Sequence, residues 1–99
     1  MTIFETLETL QKPIAWGYHS KPQKLPYLVL IGAGQDQFEA DNTYYTKKDR
    51  WQVEYYFIEK DPSLEAQIES LLLNNGYKYD KSEDVYIEDE DVFVIYYDI

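Results

Sequence analysis

Apolar residues recur at helical spacing in two segments of the chain. At the start, Thr2 and Glu5 have the spacing of a capping box, and the apolar positions around them form one stripe that ends before Pro13. In residues 61–76, an Asp-Pro pair begins a second stripe and an Asn-Gly pair stops it, because these two residues tolerate left-handed backbone. The pattern predicts a short first helix and a longer second one.

The other apolar segments are typical of β-strands. Residues 51–58 alternate with period 2, as in a strand that has one face on the core. The glycine-rich segment 32–34 is expected to break the strand before it, and the polar stretch 46–49 is expected to turn the chain within a hairpin of residues 37–58. The predicted strands are residues 14–18, 27–31, 37–45, 51–58, 84–88 and 92–99.

These elements occur in the order α-β-β-β-β-α-β-β. Short connections favour antiparallel pairing of strands, and the two helical stripes need a common apolar face. We therefore expect an α+β fold, a two-layer sandwich in which two helices pack on one mostly antiparallel sheet. No repeat or linker divides the sequence, so residues 1–99 are predicted to form a single domain.

The charge of the chain argues against several functions. Nineteen acidic and nine basic residues give the 99-residue chain a formal net charge of −10, which repels nucleic-acid phosphates. Specific nucleic-acid binding is therefore not expected. A protein that mimics DNA is the exception, because its carboxylates take the place of phosphates, and an acidic inhibitor of a host DNA-binding enzyme stays open as a rival hypothesis. No apolar stretch is long enough to span a bilayer, so no membrane contact is expected.

Candidate catalytic and metal-binding residues are few. His19 is the only histidine and there is no cysteine, so neither a Cys/His nucleophile pair nor a Cys/His zinc site can be assembled, and His19 is expected to be exposed. The acidic segment 80–91 has carboxylates at alternate positions, but Val85 stands where a calcium-binding loop requires glycine. We predict a protein without enzymatic activity, cofactor or metal.

The acidic residues before the last strand form a group of their own. Glu88, Asp89, Glu90 and Asp91 are too acidic to pair comfortably in a sheet, and they are predicted to form a solvated turn, the acidic rim. If this rim meets a neighbouring molecule, its charge sets the orientation and rate of association more than the affinity.

Tyrosine is the unusual residue of this chain. There are eleven tyrosines, several of them in adjacent pairs, so in a strand one ring of each pair must face away from the other. They are either good strand formers that cover a sheet face or the contact residues of a protein interface, where tyrosine is enriched. The predicted interface residues are Tyr44, Tyr45, Trp51, Tyr56, Phe93, Ile95 and Tyr97.

The last strand favours the interface hypothesis. Residues 92–99 place apolar side chains on both faces, so neither face is suited to water. Two short helices cover one face, and a partner subunit is the simplest cover for the other.

Five segments, taken in order, carry a resemblance to a known family. They are Pro13-Ile14-Ala15-Trp16-Gly17-Tyr18, Pro26-Tyr27-Leu28-Val29-Leu30, Asp41-Asn42-Thr43-Tyr44-Tyr45, Trp51-Gln52-Val53-Glu54-Tyr55-Tyr56-Phe57 and Asn75-Gly76-Tyr77. Over nearly its whole length the chain resembles the small tail-terminator and tail-completion proteins of long-tailed phages, which are also encoded in prophages of Gram-positive bacteria.

The resemblance implies a structural virion protein without catalytic residues. Such a subunit forms a homo-oligomeric ring, a hexamer, that caps the tail tube and joins it to the head-completion or connector protein. Its partners are thus further copies of itself, the tail tube protein and the connector protein. The resemblance also implies assembly in the bacterial cytoplasm, a place at the head-proximal end of the tail, and ring contacts that involve the hairpin of residues 37–58.

Overall fold

A computed structural model describes residues 2–40 and 44–99, with the side chains of residues 2–37 and 47–99. The described part contains two helices and a six-stranded, mostly antiparallel sheet, which confirms the predicted α+β class. The elements are α1 (Ile3–Glu8), β1 (Ile14–Trp16), β2 (Tyr27–Ala40), β3 (Tyr44–Phe57), α2 (Pro62–Asn74), β4 (Asp80–Lys81), β5 (Val85–Ile87) and β6 (Val92–Asp98).

Both helices begin at the caps that the sequence predicts. Thr2 and Glu5 form the capping box, since the Glu5 amide donates to Thr2 Oγ1 at 3.1 Å and the Thr2 amide donates to Glu5 Oε1 at 3.0 Å. Asp61 caps α2 by accepting the amide hydrogen of Leu64 at 3.1 Å. Gly76 follows α2 at a φ of 85°, a conformation that glycine adopts without strain.

The strands pair in the order β1-β2-β3-β6-β4, and β5 also pairs with β6. The short β1 runs parallel to β2, and all other pairs are antiparallel. Strand β6 lies next to β3 on one side and next to β4 and β5 on the other, so the C-terminal segment joins the sheet beside the long β2–β3 hairpin.

The strand boundaries correct two predictions. The segment 32–34 does not break a strand: β2 continues through it with a β-bulge between Gly32 and Gln35, at which Gly34 has a φ of 95°. The stretch 46–49 is not a turn but part of β3, paired with β2. The predicted strand 27–31 and residues 37–40 of the predicted strand 37–45 therefore belong to one 14-residue strand, and residues 44–45 belong to β3. The additional short strand β4 makes the order α1-β1-β2-β3-α2-β4-β5-β6.

The hydrophobic core lies between one face of the sheet and both helices. Leu28 pairs with Tyr55, which pairs with Ile95, and side chains directly opposite one another in a sheet share a face. All three contact the apolar stripes of the helices in one cluster. The buried members of this cluster are Ile3, Leu7, Leu28, Leu30, Val53, Tyr55, Phe57, Leu64, Ile68, Leu72, Ile95, Tyr97 and Ile99.

A group of charged side chains ties α2 to the C-terminal strands. Glu65 on α2 is almost fully buried, and its two oxygens lie 2.8 Å from Lys60 Nζ and 2.9 Å from Lys81 Nζ. Lys81 on β4 also lies 2.8 Å from Glu69, which accepts a hydrogen bond from the hydroxyl of Tyr97 at 2.8 Å. The carboxylates of one helix thus hold β4 and β6 in place.

This charged group predicts a loss of stability in acid. Burial alone raises the pKa of Glu69, but hydrogen bonds from Lys81 and Tyr97 outweigh burial and lower its pKa below the ordinary value. A carboxylate with a lowered folded-state pKa stabilises the fold above its unfolded-state pKa, and this contribution is lost as pH falls through the folded-state value. Urea unfolding at about pH 7 and about pH 3 should therefore show a smaller pH dependence for Glu69→Gln than for the wild type.

The matched control is Glu83→Gln, which removes an exposed carboxylate outside this group. It should leave the pH dependence of the unfolding free energy close to that of the wild type. Equal pH dependence in Glu69→Gln and the wild type would contradict the assigned role of Glu69.

Candidate functional site

The outer half of the β2–β3 hairpin extends beyond the rest of the sheet. Strand β1 pairs with β2 only at residues 28–30, and β6 pairs with β3 only at residues 52–57. Among the described residues, no third strand pairs with residues 33–40 or 44–50, which we call the arm. At about 3.3 Å per residue the arm is roughly 25 Å long, in keeping with the molecule's extents of 50 × 26 × 25 Å.

The arm carries a basic group on β3. Lys47, Lys48 and Arg50 account for three of the nine basic residues of the chain, and all three are exposed. Arg50 forms a salt bridge of 3.2 Å with Asp36 on β2. Neither lysine forms a salt bridge with any residue whose side chain the structure describes.

An aromatic cluster lies at the base of the arm. The Trp16 ring on β1 stacks on Phe4 of α1 at a centroid distance of 5.3 Å, and it lies 5.4 Å from the ring of Trp51. Trp51 is half-buried, whereas Trp16 is 50% exposed. A large, rigid ring that is half exposed beside other aromatic rings is typical of protein contact sites. Of these three residues, the sequence pattern indicated only Trp51 as a contact residue, and Trp16 and Phe4 were not predicted.

The sheet face opposite the helices carries a second aromatic group. The rings of Tyr27 and Tyr56 stack at a centroid distance of 4.9 Å, and the His19 ring lies edge-on to Tyr27 at 4.8 Å. These three residues line an open cavity of about 410 Å³ together with Tyr18 and Glu90. We call this cavity the tyrosine cleft.

The acidic rim borders the tyrosine cleft. Residues 88–91 form the exposed turn between β5 and β6 that the sequence predicts, and Glu90 lines the cleft. Burial, and then the nearby carboxylates of Glu90 and Glu54, raise the pKa of Tyr27. Tyr56 donates a hydrogen bond of 2.7 Å to Glu54. The cleft therefore combines aromatic rings with the carboxylate of Glu90 and the ammonium group of Lys21, and the carboxylate of Glu54 lies beside it.

Only part of the predicted interface lies in the tyrosine cleft, the aromatic cluster or the arm. Tyr56 is half-buried in the cleft, and Trp51 is half-buried beside Trp16. Tyr44 and Tyr45 belong to the arm through their backbone, but their side chains lie outside what the structure describes.

Three predicted interface residues face the helices. Ile95 and Tyr97 are 0% exposed in the core and cannot present a surface to a partner, so their selection was wrong. Phe93 is half-buried on the same face, 5.6 Å from Phe57. The alternation of β6 was predicted correctly, but the residues chosen belong to the covered face. The opposite face of β6 carries Val94, itself fully buried, and the half-buried Tyr96.

His19 differs from the prediction of an exposed side chain. It is half-buried, and its Nε2 atom lies 3.0 Å from the carbonyl oxygen of Leu28. Since a carbonyl oxygen only accepts hydrogen bonds, Nε2 carries the proton and donates it. The contact holds the loop before β2 against the sheet and shapes the cleft.

The described part of the chain shows neither a cluster of metal-binding side chains nor a membrane-spanning helix. Among the side chains of residues 2–37 and 47–99, no three His, Asp or Glu converge as metal ligands would. No helix in that part of the chain has the length and apolar character to cross a bilayer.

Another open cavity of about 410 Å³ lies between the Leu25-Pro26 segment and residues 57–61. Tyr55 lines it from the core and is itself fully buried. In the described part of the chain, the Tyr55 hydroxyl has no hydrogen-bond partner. Burial, followed by the nearby carboxylates of Asp61 and Glu65, raises the pKa of Tyr55 to about 12.

No protein-family model matches this chain, and a search of curated proteins finds no significant match. The arm, the aromatic cluster and the tyrosine cleft, together with the sequence segments that carry the resemblance, are therefore the features that indicate what this chain does.

The hydroxyl of Tyr55 gives a prediction about stability. An unpaired buried hydroxyl costs about 1 kcal/mol or more, so Tyr55→Phe should raise the free energy of unfolding by about 1 kcal/mol in urea titrations. The matched control is Tyr97→Phe, which removes an equally buried hydroxyl that donates to Glu69 and should lower the free energy by about 1 to 2 kcal/mol. Destabilisation by Tyr55→Phe would show that this hydroxyl has a partner in solution.

Proposed function

We propose that this chain is a structural subunit that self-associates into a ring through its arm. The observation that carries the proposal is the arm itself. An isolated two-stranded ribbon is at best marginally stable in water, and both edges of the arm offer unpaired backbone groups. Contact with another molecule would satisfy those groups and stabilise the ribbon.

The exposed aromatic residues support self-association. Trp16 lies at the base of the arm, on β1, and β1 is an edge strand of the sheet. A neighbour that contacts the arm at its base would also cover this ring. A large interface containing such an aromatic anchor fits an oligomer better than a transient contact.

The resemblance to tail-terminator proteins supplies the biological setting of the proposal. In this setting the subunit is a two-layer α+β domain whose hexameric ring caps a phage tail tube and joins it to the connector protein. The acidic surface of such a ring would suit a channel through which DNA slides, because like charges do not adhere.

The acidic DNA mimic remains the second candidate function. The observation in its favour is the exposed run of four carboxylates at residues 88–91 in a chain of net charge −10. Such a mimic would stay a monomer or a small oligomer and would be displaced from its target enzyme by DNA.

The arm can be removed at a defined point to test the proposal. Gln35 and Asp49 are partners across the two strands, so an Asn-Gly turn can join them in place of residues 36–48. Light scattering after size exclusion should find a multimer for the wild type and a folded monomer for the shortened chain, because the core lies outside the arm. Negative-stain images should show the wild type, but not the shortened chain, at the ends of purified phage tails.

A matched control is Ile58→Ser, which removes an exposed apolar side chain after the end of β3, away from the arm. It should leave the multimer intact. A wild type that stays monomeric and does not bind to tail ends would contradict the proposal. A shortened chain that still forms the multimer would show that the arm is not the main contact between subunits.

A further inference from the structure

The two ends of the long hairpin differ in charge. Lys47 and Lys48 lie on the arm, where their strand partners are Gln37 and Asp36. Tyr27 begins the same strand β2 at its other end, in the tyrosine cleft. Ten residues of extended chain, about 33 Å, separate Tyr27 from Gln37. Within one subunit the lysines are therefore too distant to reach the cleft.

The tyrosine cleft has the chemistry of a site for a cationic side chain. Its stacked rings, Tyr27 and Tyr56, present electron-rich π-systems that attract ammonium and guanidinium groups. Glu90 adds a carboxylate and Lys21 an ammonium group to the wall, and a second carboxylate, that of Glu54, lies next to the cleft, where it accepts a hydrogen bond from Tyr56. At about 410 Å³ the cleft has room for a long side chain.

The arm offers suitable cations. Lys47 and Lys48 are exposed on flexible stems, and each can present an ammonium group to a neighbouring molecule. The rest of the chain is strongly acidic, since residues 33–50 contain three of the nine basic residues but only four of the nineteen acidic ones. These counts give residues 33–50 a net charge of −1, so another copy of this chain meets repulsion over most of the surface and attraction only where a lysine of the arm approaches the carboxylates at the cleft.

We propose that the arm of one copy docks at the tyrosine cleft and acidic rim of a second copy through Lys47 or Lys48, whose side chains leave β3 on opposite faces, so that one of the two enters the cleft. The inference rests on the self-association proposed above and names the surface that receives the arm. Because the donor and acceptor surfaces are different patches on one subunit, the contact is heterologous, running from head to tail. Such a contact closes into a ring where the rotation between subunits permits.

Charge reversal on each side tests the contact. One variant carries Lys47→Glu and Lys48→Glu on the arm, and the other carries Glu88→Lys and Glu90→Lys on the acidic rim, of which Glu90 lines the cleft. Each variant alone should lose the multimer, because its arms and clefts have the same charge sign. In an equimolar mixture, acidic arms meet basic clefts and basic arms meet acidic clefts, so the multimer should return with equal amounts of both chains. Native mass spectrometry measures the composition, and circular dichroism confirms that each variant is folded.

A matched control reverses Lys12 and Lys24, which lie outside the arm and line neither the tyrosine cleft nor the cavity that Lys48 lines, with the same change in net charge as the arm variant. It should keep the multimer. If the wild type is multimeric and both variants remain multimeric, the inference is overturned but the proposed ring is not. The same holds if the wild type is multimeric and the mixture of variants stays monomeric. A wild type that is monomeric at every concentration would overturn the inference and the proposed self-association together. A mixture in which each variant forms multimers only with its own kind would also overturn the head-to-tail contact.

Discussion

The pairing of β2 with β3 is the interaction on which the rest of the structure depends. Both strands have 14 residues, but their other neighbours in the sheet are much shorter. The inner half of the hairpin supplies Leu28, Leu30 and Val53 to the core, where they are shielded by the helices. Among the described residues, none of the helices or other strands covers the outer half in this way. The same ladder of hydrogen bonds thus provides a rigid core and positions an arm far from it.

Much of the fold could be predicted because local chemistry decides it. The caps at Thr2 and Asp61 act over one helical turn, and both helices begin where those residues stand. The strand boundaries were harder to predict, because backbone pairing between β2 and β3 overrides the local conformational preference of the residues. A glycine-rich segment such as 32–34 is compatible with a β-bulge as well as with a strand break. Lys47 and Lys48 are likewise as well suited to an exposed strand as to a turn.

The paired tyrosines show what periodicity can and cannot decide. Tyr55 and Tyr97 are fully buried, whereas Tyr56 and Tyr96 are half-buried on the opposite face, as alternation along a strand requires. Alternation does not say which face the helices cover, because both faces of β6 are apolar. The tyrosine cleft was beyond sequence reasoning for a different reason. His19 and Glu90 reach Tyr27 only through the loop before β2 and the turn before β6.

Charge and aromatic surface have separate roles in an assembly of this chain. A net charge of −10 makes random encounters between copies unfavourable, and salt weakens this repulsion along with any attraction between exposed groups. Exposed ion pairs contribute little affinity, so the lysines of the arm would mainly select the orientation of approach. The affinity must come from desolvated aromatic surface, which Trp16 and the tyrosine cleft supply at separate places on the subunit. A subunit built in this way avoids clustering at random, yet it can bind a correctly oriented neighbour firmly.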